Sequence, residues 1–121
     1  PDIVPSDIYY INAHGTSTPY NDLSETTAVK TVWGDATPPP MSSTKSLVGH
    51  MMGASGSVEA VIAVKSILEN RAHPTVNLKN PDPECDLDYI PEGVREFEIN
   101  TVLSNSFGFG GHNACLVFKG V

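Results

Sequence analysis

Gly108-Phe109-Gly110-Gly111 separates residues 100–107 from residues 112–119 and restricts the fold more than any other feature. Three glycines in four positions do not continue a helix, and they let the chain reverse in a tight turn. The flanking segments therefore read as two strands of a hairpin-like pair. Residues 7–13, DIYYINA, are β-branched and aromatic-rich and read as a buried strand. A loop through His14-Gly15-Thr16-Ser17-Thr18-Pro19 follows. A helix is then expected from Asn21 or Asp22, either of which can cap it, with Glu25 in its first turn and Gly34 as its stop.

Pro38-Pro39-Pro40 is a rigid spacer, after which Met41-Ser42-Ser43-Thr44 suits a short strand. Gly49 to Gly56 is a small-residue turn. A second helix is predicted from Ser57 to Asn70. Its wheel gathers Ala60, Val61, Ala63, Val64, Ile67 and Leu68 on one arc, with Glu59, Lys65, Ser66, Glu69 and Asn70 opposite. The Pro/Asp-rich stretch from His73 to Glu92 is an irregular connection. Strand–helix–strand–helix–strand–strand is an α/β pattern with a mixed sheet packed against helices. Because the helices are few, half of a larger layered fold fits the count as well as a free-standing domain.

A chain of 121 residues, 40% hydrophobic and 17% charged, suits one compact globular unit. No apolar run approaches the ~20 residues of a membrane span. The net charge of −7 and seven scattered basic residues argue against nucleic acid, whose phosphates call for clustered Lys and Arg. The same balance is awkward for docking an acidic partner. Cys85 and Cys115 offer neither metal-ligand spacing nor a disulfide framework, which suggests a reducing, intracellular setting.

His14 lies one residue beyond the first strand, and ligands of α/β folds gather at the carboxyl ends of strands. His50 precedes the second helix, whose positive end favours a neutral imidazole. Two converging neutral imidazoles would suit carbonyl polarisation or proton transfer, yet a histidine at a strand end is more often structural. No two of His14, His50, His73 and His112 share i, i+4 spacing, so no metal is expected. Cys85 lies between Glu84 and Asp86, which disfavour a thiolate, and Cys115 falls in a strand pattern as a small packed hydrophobe. Neither suits a nucleophile. Ser106 to Gly111 lacks the following Lys-Ser/Thr of a phosphate loop; it is either a tight hairpin or a place where ligand approaches backbone. Lys45 is of interest only if a carboxylate such as Glu59 lies beside it.

Three segments, NAHGTSTP at 12–19, SSTKSLVGHMMGASG at 42–56 and SNSFGFGGHNA at 104–114, resemble the β-ketoacyl-acyl carrier protein synthases of the type II pathway. These are condensing enzymes of the thiolase-like superfamily. The likeness continues through NPDPECDLDYIPEG to LVFKGV. It implies the second half of a five-layered αβαβα fold, with residues 1–121 forming an N-terminally incomplete synthase domain. It also implies fatty acid chain elongation by decarboxylative Claisen condensation of malonyl-acyl carrier protein with an acyl-enzyme thioester, an acyltransferase activity.

By this resemblance His14 and His50 match the two catalytic histidines, Lys45 the lysine that orients the second, and Glu59 its carboxylate partner. Phe109 matches the gating phenylalanine, whose N–H forms half of an oxyanion hole. Thr16 and Thr18, with Phe107 and Gly108, match positions around the phosphopantetheine arm. Asp22 and Glu25 match supporting acidic residues. The family carries no cofactor of its own, since phosphopantetheine arrives on the acyl carrier protein. Its nucleophilic cysteine and basic docking surface belong to the N-terminal half, so the residues here are expected to be inactive alone. The implied partners are an acyl carrier protein bearing acyl and malonyl groups, the chain's own N-terminal half and a second copy in a homodimer. The implied location is the cytoplasm in a bacterium, or a mitochondrion or plastid in a eukaryote. Two alternatives stand beside this reading: a non-catalytic partner subunit that sets chain length, and a polyketide ketosynthase.

Overall fold

The computed structural model describes residues 2–121. Its centre is a four-stranded mixed sheet in the order β2-β1-β5-β6. Strand β1 (Tyr10–Asn12) runs parallel to β2 (Met41–Ser42) and to β5 (Thr101–Phe107), and β5 pairs antiparallel with β6 (Asn113–Lys119). The last pair is in register from Thr101–Lys119 to Phe107–Asn113, so the glycine-rich turn closes the hairpin that the sequence predicts. A 3-10 turn over Phe109–Gly111 makes the reversal, with Gly110 and Gly111 at φ 75° and 79°, where a side chain would be strained.

Alternation along β1 sends its residues to two cores. Tyr10 packs with Val102, Ala63, Ala72, Ile90 and Ile99 on one face. Ile11 packs with Met41, Val29, Ala13 and Ile8 on the other. Helix α1 (Pro19–Trp33) supplies Val29 to the second core, and α3 (Ser55–Glu69) supplies Ala63 to the first. Both faces of β1 are thus covered, which is why DIYYINA is almost continuously apolar.

Several boundaries differ from expectation. Helix α1 is capped by Thr18, whose Oγ1 accepts from Asn21 N, and not by Asn21 or Asp22. Pro19 explains the early start: its fixed φ suits the first helical position and it has no N–H to leave unpaired. Glu25 therefore lies in the second turn. Gly34 ends α1 at φ 58°, as predicted. The expected strand at residues 41–44 stops at Ser42, and Lys45–Val48 form a one-turn helix, α2. Two short strands that the sequence reading missed, β3 (Arg71–Ala72) and β4 (Arg95–Glu96), form a separate antiparallel ribbon.

The wheel of α3 holds only in part: Ala63 and Ile67 of the expected apolar arc meet the core, and Lys65, Glu69 and Asn70 are exposed, but the buried stripe is shifted. Ser55, Glu59, Ala63 and Ser66 face inward, while Val61, Val64 and Leu68 are exposed. The inward residues are mostly small, and the one large polar residue among them has a charged partner. Cys115 is corrected too: it lies exposed on edge strand β6 beside exposed Leu116 and Val117. Among the described residues no helix is long and apolar enough to cross a membrane.

Candidate active site

His14 leaves the carboxyl end of β1 and is buried. Its backbone is clamped from two elements. The Glu25 carboxylate, projecting from α1, accepts from His14 N at 2.9 Å, Gly15 N at 3.0 Å and Asn105 Nδ2 at 3.2 Å. Three donors offset much of the cost of burying that charge. From beyond β2, Ser43 Oγ donates to Gly15 O at 2.6 Å. Gly15 sits at φ 48°, and a Cβ there would come within 2.5 Å of the Ser43 side chain. Only glycine lets the two strand ends meet so closely.

His50 follows Gly49, which stops α2 at φ 75°. Met52 N donates to His50 Nδ1 at 3.1 Å, and Ser55 Oγ lies 3.3 Å from the same nitrogen. A backbone N–H can only donate, so Nδ1 accepts and the proton of the neutral ring resides on Nε2. The imidazoles of His14 and His50 meet edge to face, with centroids 5.8 Å apart and planes at 86°. Phe107, at the end of β5, lies 5.4 Å from His14. Burial, followed by the Lys45 charge and the proximity of His50, pushes the His14 pKa down to about 4. At neutral pH this ring is uncharged.

Lys45 Nζ and Glu59 Oε1 form a buried ion pair at 2.5 Å. Burial pushes the Glu59 carboxyl up, and the Lys45 ammonium opposes that shift. The sequence reading set Lys45 aside unless Glu59 approached it, and the fold brings them together. Thr16 Oγ1 and Thr18 Oγ1 are 3.0 Å apart beside a cavity of 590 Å³ whose wall includes Asp22, Lys45 and His50. Asp22 accepts from Ser17 N and so braces this loop. Gly108 N donates to His112 O, tying the hairpin turn, and Phe109 projects from that turn 90% exposed.

Sequence reasoning missed Asn105, Ser43 and Ser55, which hold Glu25, Gly15 and His50. Among the described residues no cluster of three or more His, Cys, Asp or Glu is placed to hold a metal ion.

Residues 1–79 match the model of the family described as β-ketoacyl synthase, C-terminal domain. The chain belongs to the β-ketoacyl synthase family. It is 56% identical over 116 residues to the 3-oxoacyl-[acyl-carrier-protein] synthase 2 of Synechocystis sp., covering 95% of this chain and 28% of that protein. It is 50% identical over 118 residues to the enzyme of the same name from Staphylococcus aureus strain COL, covering 97% and 28%. The chain thus spans under a third of the length of these curated relatives. A solved type II polyketide ketosynthase, in complex with its acyl-carrier protein, superposes with a TM-score of 0.94 at 42% identity. That match covers 98% of this chain and 29% of the ketosynthase chain. The mixed sheet with its helices is therefore the architecture of the thiolase-like ketosynthases.

Proposed function

We propose that these residues supply the decarboxylation and condensation half of a fatty-acid-elongating β-ketoacyl synthase. The observation that carries this reading is the 5.8 Å approach of His14 and His50 at the carboxyl end of the central strand. In the proposed reaction, the carbonyl oxygen of a malonyl thioester on an acyl carrier protein lies between imidazole N–H groups of His14 and His50. As CO2 departs, the electrons of the broken C–C bond enter the carbonyl and form an enolate. The two N–H donors stabilise the oxyanion, each contributing about 3 kcal/mol by analogy with other oxyanion sites. The enolate carbon then attacks an acyl-cysteine thioester. A C–C bond forms, the C–S bond breaks, and thiolate is released.

Neither Cys85 nor Cys115 suits that thiolate. Cys85 is flanked by Glu84 and Asp86, and Cys115 stands exposed on an edge strand. The nucleophile is assigned to the N-terminal part of the longer protein. Lys45 and Glu59 are proposed to orient His50, and Thr16, Thr18, Phe107 and Gly108 to flank the phosphopantetheine arm. Phe109 would gate the site, moving inward from its exposed position, and lend its N–H to the acyl oxyanion. Asp22 and Glu25 would hold the loop that carries His14. The protein needs no cofactor of its own in this scheme. Its partners are the acyl carrier protein, the N-terminal part of the chain and a second copy. Greater identity to the two fatty-acid-type synthases than to the polyketide ketosynthase favours fatty acid elongation over polyketide synthesis.

The test is made on the full-length protein. His14→Ala and His50→Ala should each reduce malonyl-thioester decarboxylation ~10²-fold or more. Undiminished turnover in both variants refutes the assignment.

A further inference from the structure

His73 is not used in the proposed reaction, yet it sits where the two strands that carry the site end. It follows β3 and reaches the ends of β1 and β2. Its Nδ1 lies 2.9 Å from Pro74 O, and a carbonyl only accepts, so Nδ1 carries a proton. In the neutral ring Nε2 is then an acceptor. Thr44 Oγ1 lies 2.8 Å from Nε2 and also accepts from Asn12 Nδ2 at 2.8 Å. Because the Thr44 hydroxyl has one proton and already receives Asn12, that proton is directed to His73. The result is a one-way series, Asn12 to Thr44 to His73 to Pro74 O.

This series spans the place where backbone pairing ends. β2 has two residues, and past Asn12 and Ser42 the strands are tied by Ala13 N donating to Ser42 O at 3.0 Å. His14 leaves one strand two residues after Asn12, and Lys45 immediately follows Thr44. Tyr10 presents its ring edge-on to His73 at 6.3 Å, and its hydroxyl, 2.6 Å from Ser42 Oγ, lies 3.3 Å from Nε2. The imidazole is thus held between partners from two strands.

We propose that His73 is a positioning residue: by accepting from Thr44 through Nε2 it holds the Asn12–Thr44 bridge and so fixes where His14 and Lys45 leave the sheet. This inference rests on the reading of His14 and His50 given above. A displacement of either loop by a fraction of an ångström would separate the two donors from one carbonyl oxygen.

The experiment uses the full-length synthase, measuring malonyl-thioester decarboxylation and, separately, acyl transfer onto its cysteine. His73→Phe keeps the ring and removes the acceptor. It should lower decarboxylation kcat about tenfold or more, with KM and acyl transfer unchanged. His73→Gln, whose amide oxygen reaches the position of Nε2, should recover most of the loss. Thr44→Val removes the same bond from its other end, should give the same split, and decides the matter if His73→Phe does not fold. Wild-type kcat in His73→Phe, or an equal fall in acyl transfer, overturns the proposal; so does failure of His73→Gln to recover activity. His14→Ala run alongside separates the two readings. If it loses decarboxylation and His73→Phe does not, only the positioning role fails; if it retains decarboxylation, the site reading falls and this inference with it.

Discussion

At the scale of single residues the site is an arrangement for burying polar groups at low cost. Glu25 is placed among three N–H donors, and Glu59 against Lys45. Satisfaction is incomplete in places: the second Glu59 oxygen is buried without a partner, and so is His14 Nδ1. A buried imidazole lacking an acceptor resists protonation, in line with its pKa of about 4. The stability consequence has a definite sign. Below the ordinary histidine value of 6.5 the unfolded chain takes up a proton that folded His14 refuses. Stability is therefore fully present above pH 6.5 and declines as the pH falls toward 4. His14→Gln has no such proton to gain. Denaturation of the full-length protein at pH 7 and pH 5 should show a smaller loss on acidification in the variant than in the wild type. Equal losses would mean that His14 is protonated in the fold.

Elements were legible in the sequence where local composition and burial agree. The β-branched run around Tyr10 and the glycine turn after Phe107 announce β1 and the β5–β6 pair, because each depends on its own residues. The face of α3 was legible only in part. Hydropathy assigned Glu59 and Ser66 to solvent, but Glu59 is buried because Lys45, fourteen residues earlier, comes back to meet it. The same long-range closure hid the roles of Asn105 and Ser43, whereas the residue types and places of His14 and His50 were visible from the start. The β3–β4 ribbon has two residues a side, too few for any period to show. The shifted stripe of α3 gives a discriminating test in the 121-residue chain, diluted until it is monomeric. Ala63 is fully buried against the sheet, so Ala63→Leu should overpack the contact and cost about 1–3 kcal/mol. Leu68 is 72% exposed, so Leu68→Gln should cost no more than about 0.5 kcal/mol. Urea denaturation of both variants checks the ranking, and a loss in Leu68→Gln as large as that in Ala63→Leu would restore the hydropathy wheel.

For the whole molecule, the informative feature is where apolar surface lies uncovered. Val61, Val64 and Leu68 on α3 are exposed, and so are Leu116 and Val117 on β6. These two elements are neighbours: Ile67 of α3 and Phe118 of β6 pack against the same core, and Ile67 also adjoins Gly120. A single large apolar residue on a surface is ordinary, but several on adjoining elements, here on both sides of the β6 edge, mark a surface that another part covers. Strand β6 adds an open row of backbone donors and acceptors at the sheet edge, which favours pairing with a further strand. The relatives in hand are more than three times longer than this chain, so the covering surface has a natural source in the rest of such a protein. Kept apart from it, the 121-residue chain should bury this face against itself. Sedimentation velocity over a range of concentrations should show self-association, and co-expression with the remaining part of the longer protein should suppress it. A monodisperse monomer with a sharp unfolding transition would mean that the exposed apolar residues are tolerated by solvent, and the covered-face argument would fail.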